Sequence, residues 1–280
     1  MHSEQLIELP KVGGLKRDPE DSRDKVFAAL KPALMTVYNQ TEHIIIEKTP
    51  ISNQTDTSTC AANASMDGFE MVLGLENLTV VQLSRLFAYW CSRLAEGATD
   101  VDGGTCLRDI FRQINQVGVC TEDKWPFQPH DLIDVRGVQV ERILAPPPES
   151  CFMEADSNKL TGYYRITNVG SDRLDDIEAA IQADHPVVFG TAVTKAFQQY
   201  NGASVALSPP TSQSDIIGLH AMVVTGVRWN AGKRQFYWRN SWGLGWGMSG
   251  HVWVDESYMT FSQTQDLWVP TNIDPILIAA

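Results

Sequence analysis

Three stretches of the chain hold residues that could together break an amide bond. His220 stands near the start of an apolar run, Gly218-Leu-His-Ala-Met-Val-Val-Thr-Gly226. Asn240 closes an aromatic run, Tyr237-Trp-Arg-Asn-Ser-Trp-Gly243. An imidazole that can exchange a proton and a carboxamide that can orient it are two members of a hydrolytic set that still needs a nucleophile. Cys60 is the candidate. It ends the polar loop that begins at Ser52, and it opens a stretch in which Ala62, Met66, Phe69 and Leu73 recur at helical spacing. A thiol at a helix N-terminus sits at the positive end of the helix dipole, which favours thiolate. A lone cysteine is more often a small buried apolar side chain. Gln54, in the same polar loop, tips the reading toward chemistry.

The elements that must position these residues follow from periodicity. Phe27, Leu30, Leu34 and Val37 keep a helical beat that Pro32 interrupts, and the run from His43 to Glu47 is strand-like. A helix is expected from Cys60, with Ser58 or Thr59 as its N-cap. Val80, Leu83, Phe87, Trp90 and Leu94 form one face of the next helix, which Gly97 stops. Leu107, Ile110, Phe111, Ile114 and Val117 mark a third, closed by Gly118. Pro146-Pro-Pro148 reads as a stiff connector. Strands are expected around Tyr163, from Pro186 to Val193, through the His220 and Asn240 runs, from Gly250 to Val254 and from Asp266 to Val269, with a helix between Asp172 and Asp184. Helices first and strands later give an α+β protein with segregated lobes. Residues 1–26 read as an extended, charged arm and 27–280 as the domain, with a helical lobe over about 55–130 and a β lobe over about 135–270.

Composition narrows the partners. The net charge of −12 argues against nucleic acid and against an anionic membrane, both of which need a basic footprint. No apolar run reaches the length of a membrane span, and the N-terminus lacks a basic start followed by an apolar block, so a cytoplasmic protein without a secretory signal is expected. Cys60, Cys91, Cys106, Cys120 and Cys151 are an odd, widely spaced set, which predicts reduced thiols and neither a disulfide framework nor a zinc ribbon. His2, His43, His130, His185 and His251 show no ligand spacing, so no metal or cofactor is expected. The aromatic density from Trp229 to Trp253 is better read as core and cleft-wall packing than as a stacking surface.

The ordered motifs resemble those of the papain family of cysteine peptidases, in its prokaryotic and phage-borne branch. Gln54, five residues and Cys60 match the first signature, and His220-Ala-Met-Val-Val-Thr-Gly226 matches the second. Asn240-Ser-Trp-Gly-Leu-Gly-Trp-Gly-Met-Ser-Gly250 keeps every fixed position of the third, which is the most specific. The resemblance spans roughly residues 50 to 270. It implies a two-lobe fold, a helical lobe facing an antiparallel β-barrel-like lobe across a cleft, and a peptide or protein substrate. It also implies roles. Cys60 attacks, His220 holds the thiolate and protonates the leaving amine, Asn240 orients the ring with Trp242 shielding that bond, and Gln54 with the Cys60 backbone N–H forms the oxyanion hole. Gly103 and Gly104 resemble the loop that pairs with extended substrate. Where the family usually has Cys-Gly-Ser-Cys-Trp-Ala-Phe, this chain has Thr57-Ser-Thr-Cys60-Ala-Ala-Asn63, and Thr57 stands where a cysteine commonly pairs with one at the position of Cys91. Two other readings use the same residues: a catalytically silent module serving as a binding or structural subunit of a larger assembly, and acyl transfer in place of hydrolysis.

Overall fold

The structure is a computed structural model that describes residues 11–34, 41–75, 81–203 and 205–272; of residues 32–34 only the backbone is described. Its first half is helical. α2 (Cys60–Leu75) lies at the centre, flanked by α3 (Arg85–Glu96) and α4 (Leu107–Gln116). The short α1 (Phe27–Leu34) runs through Pro32, and Val37 lies outside the described residues. α3 is defined at both ends by its side chains. Ser84 Oγ accepts from the Phe87 amide at 3.1 Å, and Gly97 takes the left-handed conformation at φ 69° that caps the last turn. The expected face of α3 holds at Phe87 but not at its end. The last turn outruns its cover, which leaves Leu94 54% exposed, and Leu83 precedes the helix.

The second half is an antiparallel sheet. Its order is β4 (Gly162–Ile166), β9 (Gln265–Thr271), β5 (Val187–Thr194), β6 (Ile216–Asn230), β7 (Lys233–Arg239) and β8 (His251–Asp255), with β1 (Glu42–Ile44) also paired to β6. A separate hairpin joins β2 (Leu132–Val135) to β3 (Val138–Glu141). β5 and the middle of β6 are buried along their length, so they read as continuous apolar runs where a half-exposed strand would alternate. α6 (Gly170–Gln182) covers the sheet, and α7 (Lys195–Gln198) and α8 (Glu256–Met259) close its corners.

The short elements escaped the periodicity: the β2–β3 hairpin, α5 (Glu149–Ala155), α7 and α8. α5 follows directly on the proline triplet and packs Phe152 edge-on against Phe87, with ring centroids 4.9 Å apart. Seven residues are too few to show a helical beat. Across the midline α2 lies directly on the sheet. A Cβ at Gly68 would stand 2.7 Å from Val188 Cγ2, so a side chain where this helix crosses β5 would have to push the valine aside. That close approach holds α2 against β6, which carries His220 in its first half.

Candidate active site

The start of α2 is held by a polar relay. Thr57 Oγ1 donates to the Gln54 carbonyl at 2.6 Å and shares a hydrogen bond with Thr59 Oγ1 at 2.7 Å. Asn63 Nδ2 returns to Thr59 through both its carbonyl, at 3.0 Å, and its hydroxyl, at 2.9 Å. These are the positions at which the sequence departs from the papain-like pattern. Thr57 and Asn63 replace a cysteine and an aromatic with hydrogen bonds that tie the Gln54 loop to the first turn of the helix. Cys91 is accordingly a free thiol, as are Cys60, Cys106, Cys120 and Cys151.

His220 and Asn240 come from neighbouring strands. Asn240 follows the last residue of β7, and its amide donates to the Gly250 carbonyl at 2.9 Å. Its Oδ1 lies 2.7 Å from His220 Nε2 and also accepts from the Ser241 amide at 2.8 Å. With Oδ1 as acceptor, Nε2 carries the proton and Nδ1 is the nitrogen left to act as a base. Nδ1 is buried and has no hydrogen-bond partner. Trp242 stacks on the imidazole at 4.5 Å and 27°, and so walls one face of it. Gln54 is fixed on the same side: Ser241 Oγ donates to its Oε1 at 2.8 Å, and its backbone amide donates to the Ser241 carbonyl at 2.8 Å. Ser241 was not singled out from the sequence, although it stands inside the most specific motif.

The structure thus brings Gln54, His220, Asn240 and Trp242 together around the helix that starts at Cys60. Gly103 and Gly104 lie in the loop facing them. That cleft is filled. Residues 11–18 run through it as a strand-like segment with one isolated bridge, at Leu15. The Gly13 amide donates to the Leu219 carbonyl at 3.1 Å on the β6 side, and the Thr105 amide donates to the Gly14 carbonyl at 3.2 Å on the helical side. Leu15 pairs in parallel with Thr105 and is buried. A Cβ at Gly104, whose φ is +73°, would stand 2.0 Å from the Gly14 carbonyl oxygen, so the backbones touch with no room for a side chain. Gln54 Nε2 donates to the Lys11 carbonyl at 3.2 Å. The segment read as an arm therefore contributes a core side chain as well as a cover.

Burial under that strand sets the charge state. Cys60 and His220 are both fully buried. Loss of solvent raises the Cys60 thiol to about 11, against the opposing pull of the Ala221, Ala61 and Gly14 backbone amides. The same loss lowers His220 to about 4, against the bond to Asn240. Between those values the closed site holds a neutral thiol and a neutral imidazole.

Comparison with known proteins agrees with the geometry. Residues 39–267 match the papain family cysteine protease profile. An uncharacterized peptidase C1-like protein of Acanthamoeba polyphaga mimivirus is 27% identical over 90% of this chain and 80% of its own length. Cysteine proteinase 3 of Dictyostelium discoideum is 23% identical over 73% of this chain, which spans 54% of that protein. The crystal structure of xylellain, a cysteine protease from Xylella fastidiosa, superposes with a TM-score of 0.80 at 26% identity, over 96% of this chain and 99% of that one. The family profile takes in most of the chain, both of its lobes and all three motifs, and the protein belongs to the papain family of cysteine proteases.

Proposed function

We propose that Cys60, His220, Asn240 and Gln54 carry the peptidase reaction, and that residues 11–18 hold the enzyme latent. The observation that carries this reading is a segment of the chain already lying in the cleft, in contact with Gln54, Cys60 and the backbone next to His220. A backbone carbonyl, that of Lys11, occupies the Gln54 amide, while the backbone group meeting Cys60 is the Gly14 amide. No single peptide bond of the strand offers its carbonyl carbon to the sulfur and its oxygen to Gln54, so the strand blocks without being a substrate.

In the open enzyme, water or substrate replaces the strand and the burial penalty on both groups falls. The proton then moves from Cys60 Sγ to His220 Nδ1, which Asn240 has left free to take it. The thiolate attacks the substrate carbonyl, Gln54 Nε2 and the Cys60 backbone N–H stabilise the oxyanion, and the imidazolium protonates the departing amine. Water then hydrolyses the acyl-enzyme. Trp242 keeps solvent from the His220–Asn240 bond, and Gly103 and Gly104 offer bare backbone to an extended substrate once Gly14 has left. Peptides or proteins are the partners.

Gly14→Val tests both halves of the proposal. A Cβ at Gly14 would meet the Ser58 carbonyl oxygen at 2.3 Å, so the variant strand cannot seat. The full-length variant is expected to hydrolyse a short peptide at least about tenfold faster than wild type, since a clash of that kind costs more than 1.4 kcal/mol. Adding His220→Ala or Cys60→Ser should then remove about 10³-fold or more of that rate. Retained hydrolysis in the double variants would place the chemistry elsewhere, and a wild-type chain as fast as Gly14→Val would end the latency reading.

A further inference from the structure

Gln54 can serve an oxyanion only if its carboxamide presents nitrogen, and not oxygen, to the cleft. Its two ends are pinned from opposite sides. Ser241 Oγ donates to Oε1 at 2.8 Å, and the Thr57 carbonyl accepts one Nε2 hydrogen at 3.1 Å. The other Nε2 hydrogen meets the Lys11 carbonyl at 3.2 Å in the closed chain. A flipped carboxamide would set its oxygen against the Thr57 carbonyl with no hydrogen between them. Thr57 thus leaves Gln54 one N–H, aimed into the cleft, and is tied to it a second time. Thr57 Oγ1 donates to the Gln54 carbonyl at 2.6 Å. Thr55 Oγ1 reaches the same carbonyl at 2.7 Å, but Thr55 is exposed and its hydroxyl is shared with Asp56. The Thr57 hydroxyl is itself set by a chain with one direction. Its single hydrogen goes to Gln54, so in the 2.7 Å contact with Thr59 it is the Thr59 hydroxyl that donates. The Thr59 oxygen in turn accepts from Asn63 Nδ2 at 2.9 Å, and the Thr59 carbonyl accepts from it at 3.0 Å. Thr57, Thr59 and Asn63 are all buried, so these bonds are not traded for water.

We propose that Thr57, held by Thr59 and Asn63, is a positioning residue that fixes the Gln54 carboxamide for the oxyanion. This rests on the assignment of Gln54 to the oxyanion hole. The two ends of the chain, Thr57 and Asn63, are positions that depart from the papain-like pattern, so the device belongs to this protein and not to the shared motifs. A donor for developing charge must be aimed before the charge appears. Loss of that aim falls on the transition state more than on the bound substrate.

The test compares Thr57→Val, which keeps the shape and loses the hydroxyl, with Thr57→Ser, which keeps the hydroxyl, both in full-length Gly14→Val. On a short peptide, Thr57→Val is expected to lower kcat about tenfold with KM within about twofold, and Thr57→Ser to recover most of the loss. In a Gln54→Ala background, where kcat is already down about 10²-fold, Thr57→Val should lower it no further. A loss that persists at full size without Gln54 marks a merely structural role and overturns the proposal, as does an unchanged kcat in Thr57→Val. An unchanged kcat in Gln54→Ala alone overturns the oxyanion assignment, and this proposal with it. A second readout needs no turnover. In the closed wild-type chain, the two proton resonances of the Gln54 side-chain amide, identified by their loss in Gln54→Ala, should exchange with water about tenfold more slowly than in Thr57→Val. Equal exchange in the two chains overturns the proposal. Asn63→Leu, which removes the far end of the chain, should move both readouts the same way by a smaller factor, and it decides the matter where Thr57→Val fails to fold.

Discussion

Two buried polar groups straddle the midline between helices and sheet, and they are built on opposite rules. One is ionic and densely paired. Arg239, fully buried, pairs with Glu47 Oε2 at 2.6 Å and Asp67 Oδ2 at 3.1 Å and donates to the Pro50 carbonyl at 2.5 Å. Arg85 pairs with Asp67 at 2.8 Å and Glu70 at 2.5 Å, and Ser52 Oγ donates to Asp67 at 3.1 Å. The other group is Cys60, His220 and Asn240, held neutral, with His220 Nδ1 unpartnered. Arg239 and Asn240 are consecutive, and Asp67 lies on the helix that Cys60 begins. The ionic cluster thus fixes the two elements whose ends carry Cys60 and Asn240. A network of several charge pairs resists change, whereas a neutral site with a spare ring nitrogen is ready to accept a proton once something lets it.

That contrast can be broken from either side. The largest expected effect is on stability. Arg239→Met takes the guanidinium from Glu47 and one of the two from Asp67, which keeps Arg85, and should cost about 3–5 kcal/mol, read from urea unfolding. His220→Phe, which removes no ion pair, should cost far less while abolishing peptidase activity. Equal losses of stability would erase the distinction between the two clusters.

A second expectation concerns charge at the neutral site. With Cys60 raised to about 11 and His220 lowered to about 4, the closed chain should show no thiolate absorbance at pH 7, measured as the ultraviolet difference from Cys60→Ser. Gly14→Val should show it. The signs are fixed. Relative to the unfolded chain, a lowered His220 destabilises the closed form as pH falls below its free value near 6.5, and a raised Cys60 destabilises it as pH rises above 9.0. The closed form is thus best matched to the pH range between those values. A thiolate signal in the closed wild type at pH 7 would contradict the neutral pair.

The smallest effect lies where the strand leaves the cleft. Asp18 is raised to about 6 by burial and by the neighbouring Asp266, against the Arg108 amide, the Trp268 indole and the charge of Arg165. Arg17 reaches Asp266 at 3.8 Å, and Arg165 bridges Asp266 at 2.6 Å to Asp24 at 3.0 Å. A carboxyl raised on docking contributes most below its free value of 3.8 and loses that contribution as pH rises through about 6. Unfolding free energy measured from pH 4 to 7 should therefore decline less steeply in Asp18→Asn than in wild type.

Sequence reading picked out the candidate site residues more easily than their cover. Gln54 and Cys60, and Asn240 through Gly250, lie within short windows where spacing is set by one loop or one turn. The path of residues 11–18 depends on pairing Leu15 with Thr105 and Gly13 with Leu219, contacts between distant segments that leave no local period. Arg85 and Arg239 look like surface charges in sequence. Their burial follows from carboxylates at 47, 67 and 70 that only the fold brings near. α5 was hidden by its brevity and Leu94 by the end of its helix, since periodicity reports a face but not where its cover stops.

Because the strand over Cys60 belongs to the same chain, its binding is intramolecular. Its local concentration at the cleft is set by a short tether, on the order of millimolar or above, and does not change when the protein is diluted. A separate peptide must compete against that figure and not against the enzyme's own concentration. Occupancy of the cleft is then a property of each molecule, so the onset of activity should be first order in protein and indifferent to how much of it is present.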